Sequence, residues 1–130
     1  MGVGGAALLD LVRIREIRGA IVVHRDGTVL DQAGIDSEDQ EILSSAATIS
    51  LRLSETVGRY KQFERFTQLL IEFDRGLMVV QPLTSDTVLL ALTDERATIG
   101  MIRHHLARAR PMLIQAYTQQ QESRGGDAEN

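Results

Sequence analysis

The sequence predicts a mixed α/β (α+β) domain: a β-hairpin and a three-strand meander, with a long helix between them. Three observations carry this expectation. Residues 17–33 have the composition of a β-hairpin, residues 37–58 keep an unbroken helical period, and residues 66–93 hold three strand-like runs joined by tight turns. The 130 residues amount to one domain, large enough to bury about two-thirds of the surface its unfolded chain exposes.

The first segment, MGVGGAALLDLV, reads as a short helix. Asp10 interrupts its apolar residues and no basic stretch precedes them, so neither a secretory signal nor a membrane span is expected, and the default location is cytoplasmic. Ile17 to His24 is rich in β-branched residues, and Arg25-Asp26-Gly27 supplies a turn before a second strand, Thr28 to Ala33. The helix from Ser37 to Gly58 then opens on an expected capping box of Ser37 and Gln40. Glu38 and Asp39 lie at its positive end and Gly58 stands as its stop.

This helix has two contrasting faces. Ile42, Ala46, Ile49, Leu53 and Val57 fall in a stripe about 80° wide, the expected core side. Opposite lie Ser44, Ala47, Thr48, Leu51 and Glu55, small and nearly uncharged where a solvated helix carries Lys, Glu and Arg. That second face is expected to be a contact surface; the plainer alternative is a Ser/Ala-rich helix side tolerated in water.

Beyond a polar linker, Phe66 to Asp74 alternates as a half-buried strand, Leu77 to Leu83 follows the Asp74-Arg75-Gly76 turn, and Thr87 to Thr93 follows Thr84-Ser85-Asp86. Pro82 belongs at a strand end or an unpaired edge position. A last helix, about Glu95 to Tyr117, presents Ile99, Ile102, Leu106, Ala109, Leu113 and Ala116 on one side, with a kink or break expected near Ala107 because Pro111 lacks an N–H. The tail, Thr118 to Asn130, has no apolar period and is expected to be disordered, outside a domain of residues 1–117.

No catalytic or metal site is apparent. His24-Arg25-Asp26 imitates the start of a kinase catalytic loop, but Gly27-Thr28-Val29 follows and the sequence is that of a hairpin turn. The Gly2, Gly4, Gly5 cluster lacks the strand and the Gly-Lys-Ser/Thr of a phosphate cradle. His104 and His105 are neighbours, pointing about 100° apart on a helix, and with Arg103, Arg108 and Arg110 they are expected to form a solvated basic face rather than a metal site, the alternative being a face that meets an acidic partner. Serines lie in turns without a nucleophile elbow, and the carboxylates serve helix starts and turns. Nothing singles out Arg52, Arg59 or Arg65 as an arginine supplied to a nucleotide hydrolase. A net charge of −4 with mixed signs and only five aromatic residues argue against nucleic acid, and no cysteine is present for thiolate chemistry.

The pieces Ile17-Arg18-Gly19-Ala20-Ile21-Val22-Val23 with Asp26-Gly27-Thr28-Val29-Leu30, the Ala/Ser-rich helix ending at Gly58, Gly76 with Leu77-Met78-Val79-Val80-Gln81-Pro82-Leu83, and Thr87-Val88-Leu89-Leu90-Ala91-Leu92 followed by Ile99-Gly100 occur here in one order. In that order the chain resembles the roadblock family of dynein light chains, in particular its bacterial Mgl-type regulators of small Ras-like GTPases. The resemblance implies a five-stranded antiparallel sheet, profilin-like, with the long helix on one face and the terminal helices on the other. It also implies a homodimer joined through the long helices and the edge strand, with Phe66, Gln68, Leu70 and Glu72 at the interface. It further implies a GTPase platform on the outer helix face: Ser44 and Thr48 by position, with Ala47, Leu51, Arg52 and Glu55 around them. Arg52 stands where that branch has a small residue. The expectation is a non-enzymatic, cofactor-free homodimeric regulator of a Ras-like small GTPase, with no nucleic acid or membrane partner. The alternative is a scaffold subunit without GTPase regulation; a small-ligand sensor is a third reading, for which the sequence offers no convergent polar cluster.

Overall fold

Backbone pairing, more than any single residue, organises this chain. The computed structural model describes residues 3–129, with side chains from 5 to 118. Helix α1 (Val3–Val12) leads into β1 (Ile17–His24) and β2 (Val29–Ala33); a 3-10 turn (Ser37–Asp39) precedes α2 (Gln40–Tyr60); β3 (Leu69–Phe73), β4 (Gly76–Pro82) and β5 (Thr87–Thr93) form a meander; and α3 (Ile99–Glu129) closes the chain. The two hairpins join where β1 lies antiparallel to β5, giving the order β2-β1-β5-β4-β3.

The expected five-stranded sheet between helices is therefore present. One face carries α1 and α3 over a cluster that includes Leu8, Leu11, Val22, Val79, Leu89, Ile102, Leu106 and Leu113. The other carries α2 over Ile21, Val23, Val80, Val88 and Leu90. Because β5 is central and covered on both sides, Val88, Leu89, Leu90 and Ala91 are all buried, which is why it reads as a continuous apolar run. The first turn is built as expected: Gly27 adopts φ 98°, Asp26 Oδ1 accepts from the Thr28 N–H at 2.9 Å, and His24 Nδ1 accepts from the Asp26 N–H at 3.0 Å. Pro82 ends β4 opposite Val88, beyond Leu69, the first residue of β3, so its missing donor interrupts no ladder.

Several expectations are corrected. No capping box forms: the 3-10 turn closes through the Asp39 N–H to the Asp36 carbonyl at 3.0 Å, and no side chain caps the helix. Gly58 does not stop α2, which continues to Tyr60. The helix ends in a Schellman arrangement, with the Phe63 N–H donating to the Gly58 carbonyl at 2.8 Å, the Gln62 N–H to the Arg59 carbonyl at 3.3 Å, and Gln62 at φ 60°. A Cβ at Gly58 would lie 3.3 Å from the Phe63 carbonyl oxygen, a tight contact that glycine avoids. Helix α3 runs unbroken through Pro111; the Ala107 carbonyl that loses its donor is on an exposed turn, where water can replace it. Its backbone is helical to Glu129. Tyr117, buried near the end of the α1/α3 cluster, donates to Asp31 Oδ2 at 3.2 Å; burial and the neighbouring carboxylate push its hydroxyl well above the usual tyrosine range.

Candidate partner-binding surface

Helix α2 lies on the sheet by the face opposite to the one expected. Ser44, Ala47 and Leu51 are buried against β1, β5 and β4, whereas the stripe expected to be core faces outward, with Ile42 68%, Ile49 62%, Leu53 62% and Val57 48% exposed; only Ala46 is half-buried. The reason is close approach. Leu51 fills the space beyond Ser44 and Ala47, whose small side chains let the helix approach the sheet closely. Ala47 fills that role without a polar atom, and Ser44 uses its hydroxyl to tie the helix down, donating to the Gly27 carbonyl at 2.6 Å.

Of the residues expected to meet a partner, Ser44, Ala47 and Leu51 are therefore removed from the surface. Thr48 is half-buried and spends its hydroxyl on the carbonyls of Ser44 and Ser45, at 3.2 and 3.1 Å. Arg52 is exposed. Glu55 binds the Arg25 guanidinium through both oxygens, at 2.8 and 2.9 Å. Arg25 also donates to the Ser85 carbonyl at 3.0 Å, and its backbone N–H to the Asp86 carbonyl at 2.7 Å. One residue thus fastens α2 to both turns at this end of the sheet. The bidentate bond from Arg25 holds the Glu55 carboxyl below the usual carboxylate range, and Glu55 holds the guanidinium above its own.

The edge strand is where the sequence placed it. β3 pairs with β4 alone, so its outer edge is free of strand partners among the described residues. The expected interface residues divide between the sheet's faces. Phe66 stands just before the strand and packs half-buried with the α2-side cluster, and Leu70 packs on the α1/α3 side. Gln68 bridges to that side, donating to Gln81 at 3.2 Å and accepting from Arg103 at 3.3 Å, while Glu72 is exposed. Leu69 joins the α2-side cluster, but α2 lies over β1, β5 and β4, and Phe73 at the far end of β3 is exposed. An outward Ile/Leu/Val stripe and an open strand edge thus bound the α2 side of the molecule.

Sequence reasoning found both α2 faces and the edge strand but exchanged the roles of the faces, and it did not find Arg25. Among the described residues no group of three His, Asp or Glu side chains is placed to hold a metal, and no helix is long and apolar enough to cross a membrane.

Comparison with known proteins agrees with this architecture. An uncharacterized protein of Methanocaldococcus jannaschii is 28% identical over 102 residues, 78% of this chain and 89% of the relative. MglB of Myxococcus xanthus superposes with a TM-score of 0.79 at 18% identity, covering 86% of this chain and 92% of that one. A Roadblock/LC7 domain from Streptomyces avermitilis gives a TM-score of 0.74 at 22% identity, covering 85% and 91%. The family model described as Roadblock/LC7 domain matches residues 5–93, from α1 to the last residue of β5, and the chain belongs to that family.

Proposed function

We propose that this chain is a non-enzymatic homodimeric regulator that binds a Ras-like small GTPase across its paired α2 helices and biases the GTPase's nucleotide state. One observation carries the reading: the bulky apolar stripe of Ile42, Ile49, Leu53 and Val57 points away from the chain's own core, on the side of the sheet bounded by the open β3 edge. A second copy, related by a two-fold axis, would cover the stripe with its own and extend the sheet through β3. Ser44, Ala47 and Leu51 are buried and carry no GTPase contact, which falls instead to Arg52, the accessible part of Thr48, and those parts of the outer stripe that the second copy leaves open. The GTPase itself comes from the resemblance to the Mgl-type branch. Docking there would act by favouring one arrangement of the GTPase's switch segments, which requires a difference in affinity between its nucleotide states.

The test compares binding of the purified chain to a Ras-like GTPase, taken from the same genome and loaded with GDP or with a non-hydrolysable GTP analogue. A preference of about tenfold or more, corresponding to roughly 1.4 kcal/mol of coupling, is the expected result. Equal affinity would leave a scaffold, and no binding in either state would remove the GTPase from the account. Arg52→Glu should weaken that binding and leave the dimer intact, which separates the two halves of the proposal.

A further inference from the structure

A cleft of about 630 Å³ opens at the C-terminal end of α2, between that helix, the linker to β3, the β4–β5 turn and α3. It lies apart from the outward apolar stripe. Its wall includes four arginines from distant parts of the sequence: Arg25, Arg59, Arg65 and Arg110. Among the described residues, only Arg25 is neutralised directly, by Glu55. Arg59 contacts the Thr56 hydroxyl at 3.5 Å and helps to hold the Glu55 carboxyl ionised, without an ion pair of its own. Arg110 donates to the Pro82 carbonyl at 2.8 Å, which orients it without cancelling its charge. Among the described residues neither Arg65 nor the remaining carboxylate on the wall, Glu64, forms an ion pair. Leu51, Phe63 and Phe66 line the same space, alongside Thr67, Thr84 and Ser85.

We propose that this cleft binds a small organic phosphate, its phosphoryl group held by Arg59, Arg65 and Arg110 and its apolar body laid against Leu51, Phe63 and Phe66. The volume lies in the range of small-molecule sites, which combine a largely apolar lining with a few placed polar groups. Guanidinium forks match phosphate oxygens in pairs, and a phosphate has enough oxygens and charge for three of them, where a single carboxylate would leave one idle. The convergent polar cluster that the sequence lacked is supplied by the fold, which carries Arg110 from α3 to the end of the helix that bears Arg59.

The experiment is a titration of the full chain with 1-naphthyl phosphate, followed by NMR of the arginine Nε–H groups and the backbone amides of residues 58–67 and 83–85. Parallel titrations use inorganic phosphate and 1-naphthol. Saturable shifts at those residues are expected, weaker with inorganic phosphate and lost with 1-naphthol. Affinity should fall about tenfold or more in Arg65→Glu and in high salt, because exposed charges are screened. Arg65 is exposed, so the variant should keep its fold, checked by an unchanged amide spectrum away from the cleft. The absence of saturable shifts, shifts confined to other residues, or unchanged affinity in Arg65→Glu would each overturn the proposal. The mass of the assembly, measured on the same samples, keeps this result separate from that for the dimer.

Discussion

Gln62 sits at φ 60° at the end of α2, a backbone conformation that costs a residue with a Cβ and suits glycine. Its side chain is exposed, so Gln62→Gly removes the strain and loses little else. The expected gain is about 0.5–1 kcal/mol in urea unfolding, whereas a loss would mean that the Schellman turn depends on the glutamine itself. Arg25 and Glu55 give a second test at this scale. With the Glu55 carboxyl held low in the native state, the unfolded chain binds its proton more readily. The ion pair's contribution is thus complete above the ordinary carboxylate range and is lost as the pH falls from there through the lowered native value. Both groups are partly exposed, so solvent limits the effect: Glu55→Gln should cost up to about 1 kcal/mol near neutral pH and nothing in acid. Stability curves of the two proteins against pH should converge as acid is added; parallel curves would contradict the assignment.

Between residue and fold, α2 shows what a single sequence can and cannot state. The spacing of Ile42, Ile49, Leu53 and Val57 located the stripe, and the spacing of Ser44, Ala47 and Leu51 located its opposite, both at the right angles around the axis. What the period could not state is which face meets the chain's own sheet. The usual inference, larger apolar residues inward, assumes that only one face is buried and only within one chain. In α2 the close approach of sheet and helix selected the small residues, while the Ser44–Gly27 and Glu55–Arg25 bonds that seat it join residues 17 and 30 positions apart, beyond any local pattern. The strands were more legible: β1 and β5 begin and end where their apolar runs do, because a central strand is covered on both faces. At α2 the expected outcomes are opposite for the two faces. Ala47→Leu should overpack the sheet contact and cost about 1–3 kcal/mol. Ile49→Ser should change the stability of the isolated chain by no more than about 0.5 kcal/mol, its effect appearing in association instead. Denaturant midpoints measured at low protein concentration distinguish them, and equal costs would contradict this orientation of the helix.

The whole molecule is a sheet with one face closed by α1 and α3 and the other closed only in part by α2. The order of hairpin, helix, meander and helix was legible as a family pattern, and so was β3 as an edge; the arginine-lined cleft was not, since its cations come from α2, the linker, the first turn and α3. The central claim is that the outward stripe of α2 and the edge of β3 await a second copy of the chain. Sedimentation equilibrium of the wild-type chain beside Leu53→Glu tests it most directly. The account predicts twice the 14.4 kDa chain mass for the wild type and a folded particle of the single mass for the variant. A wild-type monomer, or a Leu53→Glu variant that associates as tightly as the wild type, would contradict it.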